Sequence, residues 1–199
     1  MHSSRFRDGR RAAAAALLLV AGLAACSDPL ELKASFDTAE STVTVHALNG
    51  TPLAYTAAIL LLPAPTGVRP ANDYLFDFAI DFDAGGAALL YPLDAIAQPG
   101  VISLARRVGV QKMSVAYADL QRAPSSGYTY GEAVPIAVGD VGAIQSNGHP
   151  FCENSFVSSS IFAKFQVEAL DAAARTARVK IRVDPNCGFR GLQSGLPAR

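Results

Sequence analysis

Two stretches near the C-terminal end, IFAKFQVEAL (residues 161 to 170) and TARVKIRV (residues 176 to 183), alternate apolar and polar residues with a period of two. Successive side chains of a strand point to opposite faces, whereas a helix would spread the same residues around its circumference. In the first stretch Ile161, Ala163, Phe165, Val167 and Ala169 share one face, and Lys164, Gln166 and Glu168 the other. In the second, Ala177, Val179, Ile181 and Val183 oppose Arg178, Lys180 and Arg182. The short connection DAAAR suits an antiparallel hairpin. Pairing of the two strands sets Glu168 among the three cations, a cross-strand arrangement that contributes about 0.2 to 1 kcal/mol. The basic residues therefore read as a solvated strand face.

The same period recurs upstream. STVTVHAL (residues 41 to 48) runs into Asn49-Gly50, a dipeptide suited to a type I′ hairpin turn, and LAYTAAILLL (residues 53 to 62) is the returning strand. In DYLFDFAIDFD (residues 73 to 83), Tyr74, Phe76, Phe78, Ile80 and Phe82 form an aromatic core face. Asp77, Asp81 and Asp83 fall on the opposite face, expected to meet solvent or a ligand. VISLARRVGVQKMSVAY supplies one or two short strands, and YTYGEAVPIAV and VGAIQS two more. Pro135 has no amide hydrogen for a ladder and belongs at an edge or bulge. Strands punctuated by Gly, Pro and Asn, without a long amphipathic helix, predict an all-β class: an antiparallel sandwich or a partly closed barrel.

The N-terminus follows a different rule. Arg5, Arg7, Arg10 and Arg11 precede an apolar run from Ala12 to Ala25, and Ser27, Asp28 and Pro29 end it. Fourteen residues are too few for a spanning helix, which needs about 20. A basic head, a short apolar run and small residues before a cut describe a secretory signal. Leu23-Ala24-Ala25-Cys26 resembles the bacterial lipobox, in which the cysteine thiol receives a diacylglyceryl group and becomes the mature N-terminus. That resemblance implies a lipid anchor at Cys26, with the membrane as partner; Ser27 directly after the cysteine resembles members directed to the outer membrane. An ordinary signal cut near Ala25 is the alternative. The lipobox reading divides the chain into a signal peptide (1 to 25), a tether (26 to 36), one all-β domain (37 to 191) and a loose tail (192 to 199).

Four of the 17 Lys and Arg, and one of the 17 Asp and Glu, lie in residues 1 to 25. The remainder carries 13 basic against 16 acidic residues, a net charge of −3, which argues against nucleic acid as a partner. With Cys26 assigned to lipid, Cys152 and Cys187 remain as an even pair in an oxidising compartment and are expected to form a disulfide.

Motifs for chemistry are sparse. Asp81 and Asp83 in DFDAGG could begin a loose calcium turn. The twelfth position, where an EF-hand needs a bidentate Glu, is Pro92. SSGYTYG presents Tyr128 and Tyr130 to a loop, and NGHPFC presents His149, a set that could line a ligand loop. Outside the signal, His46 and His149 are the histidines, and GxSxG, HExxH, SxxK and a phosphate-binding glycine loop are all missing. No cofactor is predicted from these residues, and a hydrolase is the third-ranked function.

FDFAIDFDAGG, then SGYTYG with VGDVGAIQS, then FAKFQVEALD, resemble strand segments of HmuY-like haem-binding lipoproteins of bacteria over residues 74 to 183. The resemblance implies an all-β domain on a lipid anchor and haem held between two side-chain ligands. No histidine pair falls at the matching places, and Met113 is the sole methionine outside the signal to serve the family's methionine variation. The leading expectation is a non-enzymatic cell-envelope lipoprotein whose β-domain binds an envelope protein or small ligand. A tetrapyrrole-binding protein is the second.

Overall fold

The computed structural model describes residues 32–70, 74–96, 106–155 and 158–197. The described residues from Ala34 onward form one compact unit. The expected signal and Cys26, the expected lipid acceptor, lie outside the described residues. Among the described residues there are eleven strands: β1 (Ala39–His46), β2 (Ala58–Leu60), β3 (Thr66–Val68), β4 (Phe78–Phe82), β5 (Ala88–Pro92), β6 (Arg107–Met113), β7 (Thr129–Tyr130), β8 (Val134–Ile136), β9 (Val141–Asn147), β10 (Ile161–Asp171) and β11 (Thr176–Asp184). A single helical turn, α1 (Leu93–Ile96), follows β5, and a 3₁₀ turn (Pro150–Cys152) follows β9.

The strands form two antiparallel sheets, one ordered β1-β11-β10-β9-β6-β7 and the other β3-β2-β4-β5-β8. Both sheets are open at their ends, so the architecture is a sandwich and not a closed barrel. Their inner faces share one core, with Val43, Val45, Phe165, Val179 and Ile181 from the larger sheet against Ile59, Phe78, Ile80 and Leu90 from the smaller. This is the two-layer solution expected when each sheet has one apolar face to bury.

Several local expectations are met. β10 and β11 pair as a hairpin, and Arg178 reaches Glu168 at 3.1 Å. Pro135 sits in β8, an edge strand of the smaller sheet.

Others are corrected. A bulge shifts the register between Val167 and Ala169, so Ala169, expected inward, is exposed while Leu170 packs on the core. One extra residue in a strand reverses the faces of all that follow it. Asn49-Gly50 does not close a hairpin: β1 pairs along its length with β11, and the chain crosses at this turn to the other sheet. YTYGEAVPIAV likewise divides at Gly131, whose φ of 70° turns the chain, with β7 in one sheet and β8 in the other.

The acidic face of residues 73 to 83 is the largest correction: Asp83 is exposed as expected, but Asp77 and Asp81 are not. Every residue of β4 is buried, as is Asp77 just before it. Asp77 accepts from the Leu61 amide at 2.8 Å and pairs with Arg106 at 2.7 Å. Asp81 pairs with Arg175 at 2.7 Å and also accepts from Asn49. A buried carboxylate is tolerable only when paired and hydrogen-bonded, and both cations come from other parts of the chain.

The outer face of the larger sheet is partly covered. Segment 114–128, between β6 and β7, and the stretch after β11 join through Ala123 and Leu192, whose amides donate to the carbonyls of Arg190 and Gln121. Together they bury a second small core of Leu120, Ala123, Val141, Ala143, Phe162 and Leu192. Leu192, in the stretch expected as a loose tail, is fully buried. The hydroxyl and amide of Thr38 donate to the carbonyls of Gln193 and Gly195.

Candidate functional site

Strand register builds a row of charges on the outer face of the larger sheet. Glu40 of β1 lies opposite Arg182 of β11, and Arg182 lies opposite Lys164 of β10. Lys180 belongs to the next outward row, opposite Thr42 and Gln166. The alternation that sends Val179, Ile181 and Phe165 into the core sends these charges the other way.

Segment 114–128 then closes over the row. Lys164 is only 2% exposed. Its Nζ donates to the carbonyls of Tyr117 (2.8 Å) and Leu120 (2.9 Å) and lies 4.5 Å from the centre of the Tyr117 ring. Lys180 stands 5.1 Å from the same ring. The Tyr117 hydroxyl donates to Glu40 at 2.9 Å. Arg182 approaches the same carboxylate through Nε (2.9 Å) and Nη2 (2.8 Å), and Lys180 at 3.2 Å.

These residues, with Gln193 and Ser194 at the rim, line a recess of about 300 Å³. Three cations face one carboxylate, so the recess is electropositive. Burial, reinforced by Arg182, lowers the Lys164 ammonium to about 8. Burial acts to raise Glu40, but the Tyr117 hydroxyl, Lys180 and Arg182 outweigh it and hold the carboxyl below its usual range. Tyr117 is pushed upward by burial and by its bond to Glu40, so it stays a neutral donor. The arrangement can hold an anion by charge and hydrogen bonding; it does not pair a nucleophile with a base.

The residues singled out in the sequence are distributed elsewhere. Cys152 and Cys187 form the expected disulfide, with Cα atoms 5.7 Å apart. Asp81 is committed to Arg175 and Asn49, while Asp83 Oδ1 accepts from the amides of Gly85 and Ala87 and so caps the turn. Among the described residues no group of three or more His, Cys, Asp or Glu is disposed to hold a metal.

Tyr128 donates to the Pro124 carbonyl. Tyr130 donates to Gln145 at 2.6 Å and accepts from Asn147, with Arg107 over its ring. His149 belongs to a different environment. It is buried, its Nδ1 accepts from the Phe151 amide, and burial lowers its pKa while Asp77 raises it and Arg106 lowers it. His46 stacks on Tyr55, and Met113 packs at the margin of the second core.

The recess residues Glu40, Tyr117 and Lys164 are therefore new relative to the sequence reading. Lys164 looks like one more outward lysine until segment 114–128 covers it. The usable signal is the register of the predicted hairpin, which sets Lys164 directly against Arg182, a like-charge pair that an ordinary surface avoids. Comparison of the chain with protein-family models, with curated proteins and with solved structures gives no match.

Proposed function

We propose that this chain is a bacterial envelope lipoprotein: a sandwich held by lipid at Cys26 that binds a ligand through its recess and carries out no catalysis. The observation that supports the anchor is the pairing of Cys152 with Cys187. Of three cysteines it leaves Cys26, the residue that closes the apolar run in Leu-Ala-Ala-Cys. A disulfide fits an oxidising compartment, the same destination that the signal implies.

The attachment of the last residues of the tether fits this reading. Asn186 Oδ1 accepts from the amides of Ser35 (2.7 Å) and Phe36 (3.0 Å), and its Nδ2 donates to the Phe36 carbonyl (2.8 Å). The sandwich is thus gripped next to Cys187, and residues 26 to 34 can extend about 30 Å from a bilayer. Acyl chains contribute about 0.8 kcal/mol per buried methylene, and more than one chain makes the attachment stable. Ser27 favours the outer membrane as the destination.

Growth of a bacterial host with alkyne-tagged palmitate tests the anchor. The expected result is a labelled protein in the outer-membrane fraction, with the label lost in Cys26→Ala. A mature protein whose N-terminus is any residue other than acylated Cys26 overturns it.

A further inference from the structure

The row Glu40, Arg182, Lys164 breaks a rule of sheet design. Like charges directly opposite one another destabilise a sheet, and a buried ammonium is costly unless it is paired. Yet among the described residues no carboxylate forms an ion pair with Lys164. Glu40 is already occupied by Arg182, Lys180 and Tyr117. Lys164 instead points two donors at neutral carbonyls. An ammonium has three N–H groups; two go to these carbonyls, the Tyr117 ring stands 4.5 Å away, and the charge itself remains without a counter-ion in the wall of the recess that Lys164 lines.

The geometry assigns the recess over Lys164, Lys180 and Arg182 to a small phosphate-class oxyanion, with Ser194 as a polar group at its rim. The donor chemistry favours phosphate over carboxylate. Arg182 directs Nε and Nη2 at Oε2 of Glu40, so the Nε/Nη2 side of its planar fork, one of its two bidentate edges, is already taken by a carboxylate. The other two cations are ammonium groups, Lys180 shared with Glu40 and Lys164 without a carboxylate, compact charges that bind phosphate oxygens from separate directions. A bound anion would offset the Lys164–Arg182 repulsion and balance the charge that Glu40 leaves uncompensated. The phosphate could be a free monoester or the headgroup of a lipid. This assignment rests on the binding role proposed above but not on lipidation, so a failed titration leaves the anchor standing, and an unlabelled Cys26 leaves the titration valid.

Titration calorimetry of the full chain in an uncharged detergent, with inorganic phosphate as the probe and chloride at matched ionic strength as the control, tests it. The expected result is saturable one-site binding with Kd on the order of 1 mM or tighter, absent with chloride. Lys180→Gln, at a half-buried rim position, should weaken binding about tenfold or more, the loss of one charge-assisted contact. Arg107→Gln, which removes a cation outside the recess, should leave binding unchanged. Competition with glycerophosphoglycerol, a deacylated lipid headgroup, separates the sources: displacement of phosphate identifies a headgroup site, and failure to displace it identifies a free phosphate. Heat that matches the chloride control, or equal affinity in Lys180→Gln, overturns the assignment.

Discussion

Asp184 is an unfavourable residue in the sandwich. It is fully buried at the end of β11, its Oδ1 accepts from the amide and side chain of Asn186, and its Oδ2 has no partner. Burial raises its pKa from 3.8 to about 6 against the lowering effect of Asn186. The folded state therefore holds the proton more tightly than the unfolded chain between about pH 4 and 6. By linkage the group costs stability in full above about pH 6, and that cost disappears as the pH falls towards 4. Asp184→Asn keeps the acceptor for Asn186 and removes the charge. It should raise the unfolding free energy at pH 7 by about 1 to 3 kcal/mol, with little gain at pH 4, as read from urea denaturation at both values. At this scale the sequence is least transparent. Asp77 and Asp81 have the alternation of solvent-facing residues, but Arg106 and Arg175, 29 and 94 residues away, let them be buried.

Elements are more legible than their joints. The hairpin β10–β11, the strand character of β1, β4 and β9, and the edge position of Pro135 all follow from local pattern, because side-chain alternation is a property of the strand itself. The bulge after Val167 and the change of sheet at Asn49-Gly50 and Gly131 do not, since the choice of partner strand depends on residues far away. Gly142 of β9 shows how one position can control an element. It lies opposite Phe165 of β10, and a Cβ there would collide with the Phe165 ring and come within 2.9 Å of the Gln111 carbonyl. Absence of a side chain in a strand often marks such a close approach. Because Phe165 is fully buried, its ring has little room to retreat. Gly142→Ala should cost about 1 to 3 kcal/mol through overpacking, seen as a lower denaturation midpoint with an unchanged m-value.

For the molecule as a whole, the disulfide ties the 3₁₀ turn after β9 to the segment after β11, closing 35 residues of separation that include the β10–β11 hairpin. Reduction should cost about 4 kcal/mol on the chain-entropy model, measured as the difference in unfolding free energy between oxidised protein and Cys152→Ser/Cys187→Ser. The sequence alone was sufficient for the all-β class, for that pairing and for the expectation of a signal of residues 1 to 25 ahead of Cys26, because each depends on local periodicity or on simple counting. Tertiary structure decided the rest. Which strands share a sheet, which carboxylates are buried, and that Lys164 meets Arg182 beneath Tyr117 all depend on contacts between segments distant in the chain. The recess belongs to that second group: its charges are spaced along the sequence from residue 40 to residue 182, and only the strand register and the covering segment bring them within reach of one another.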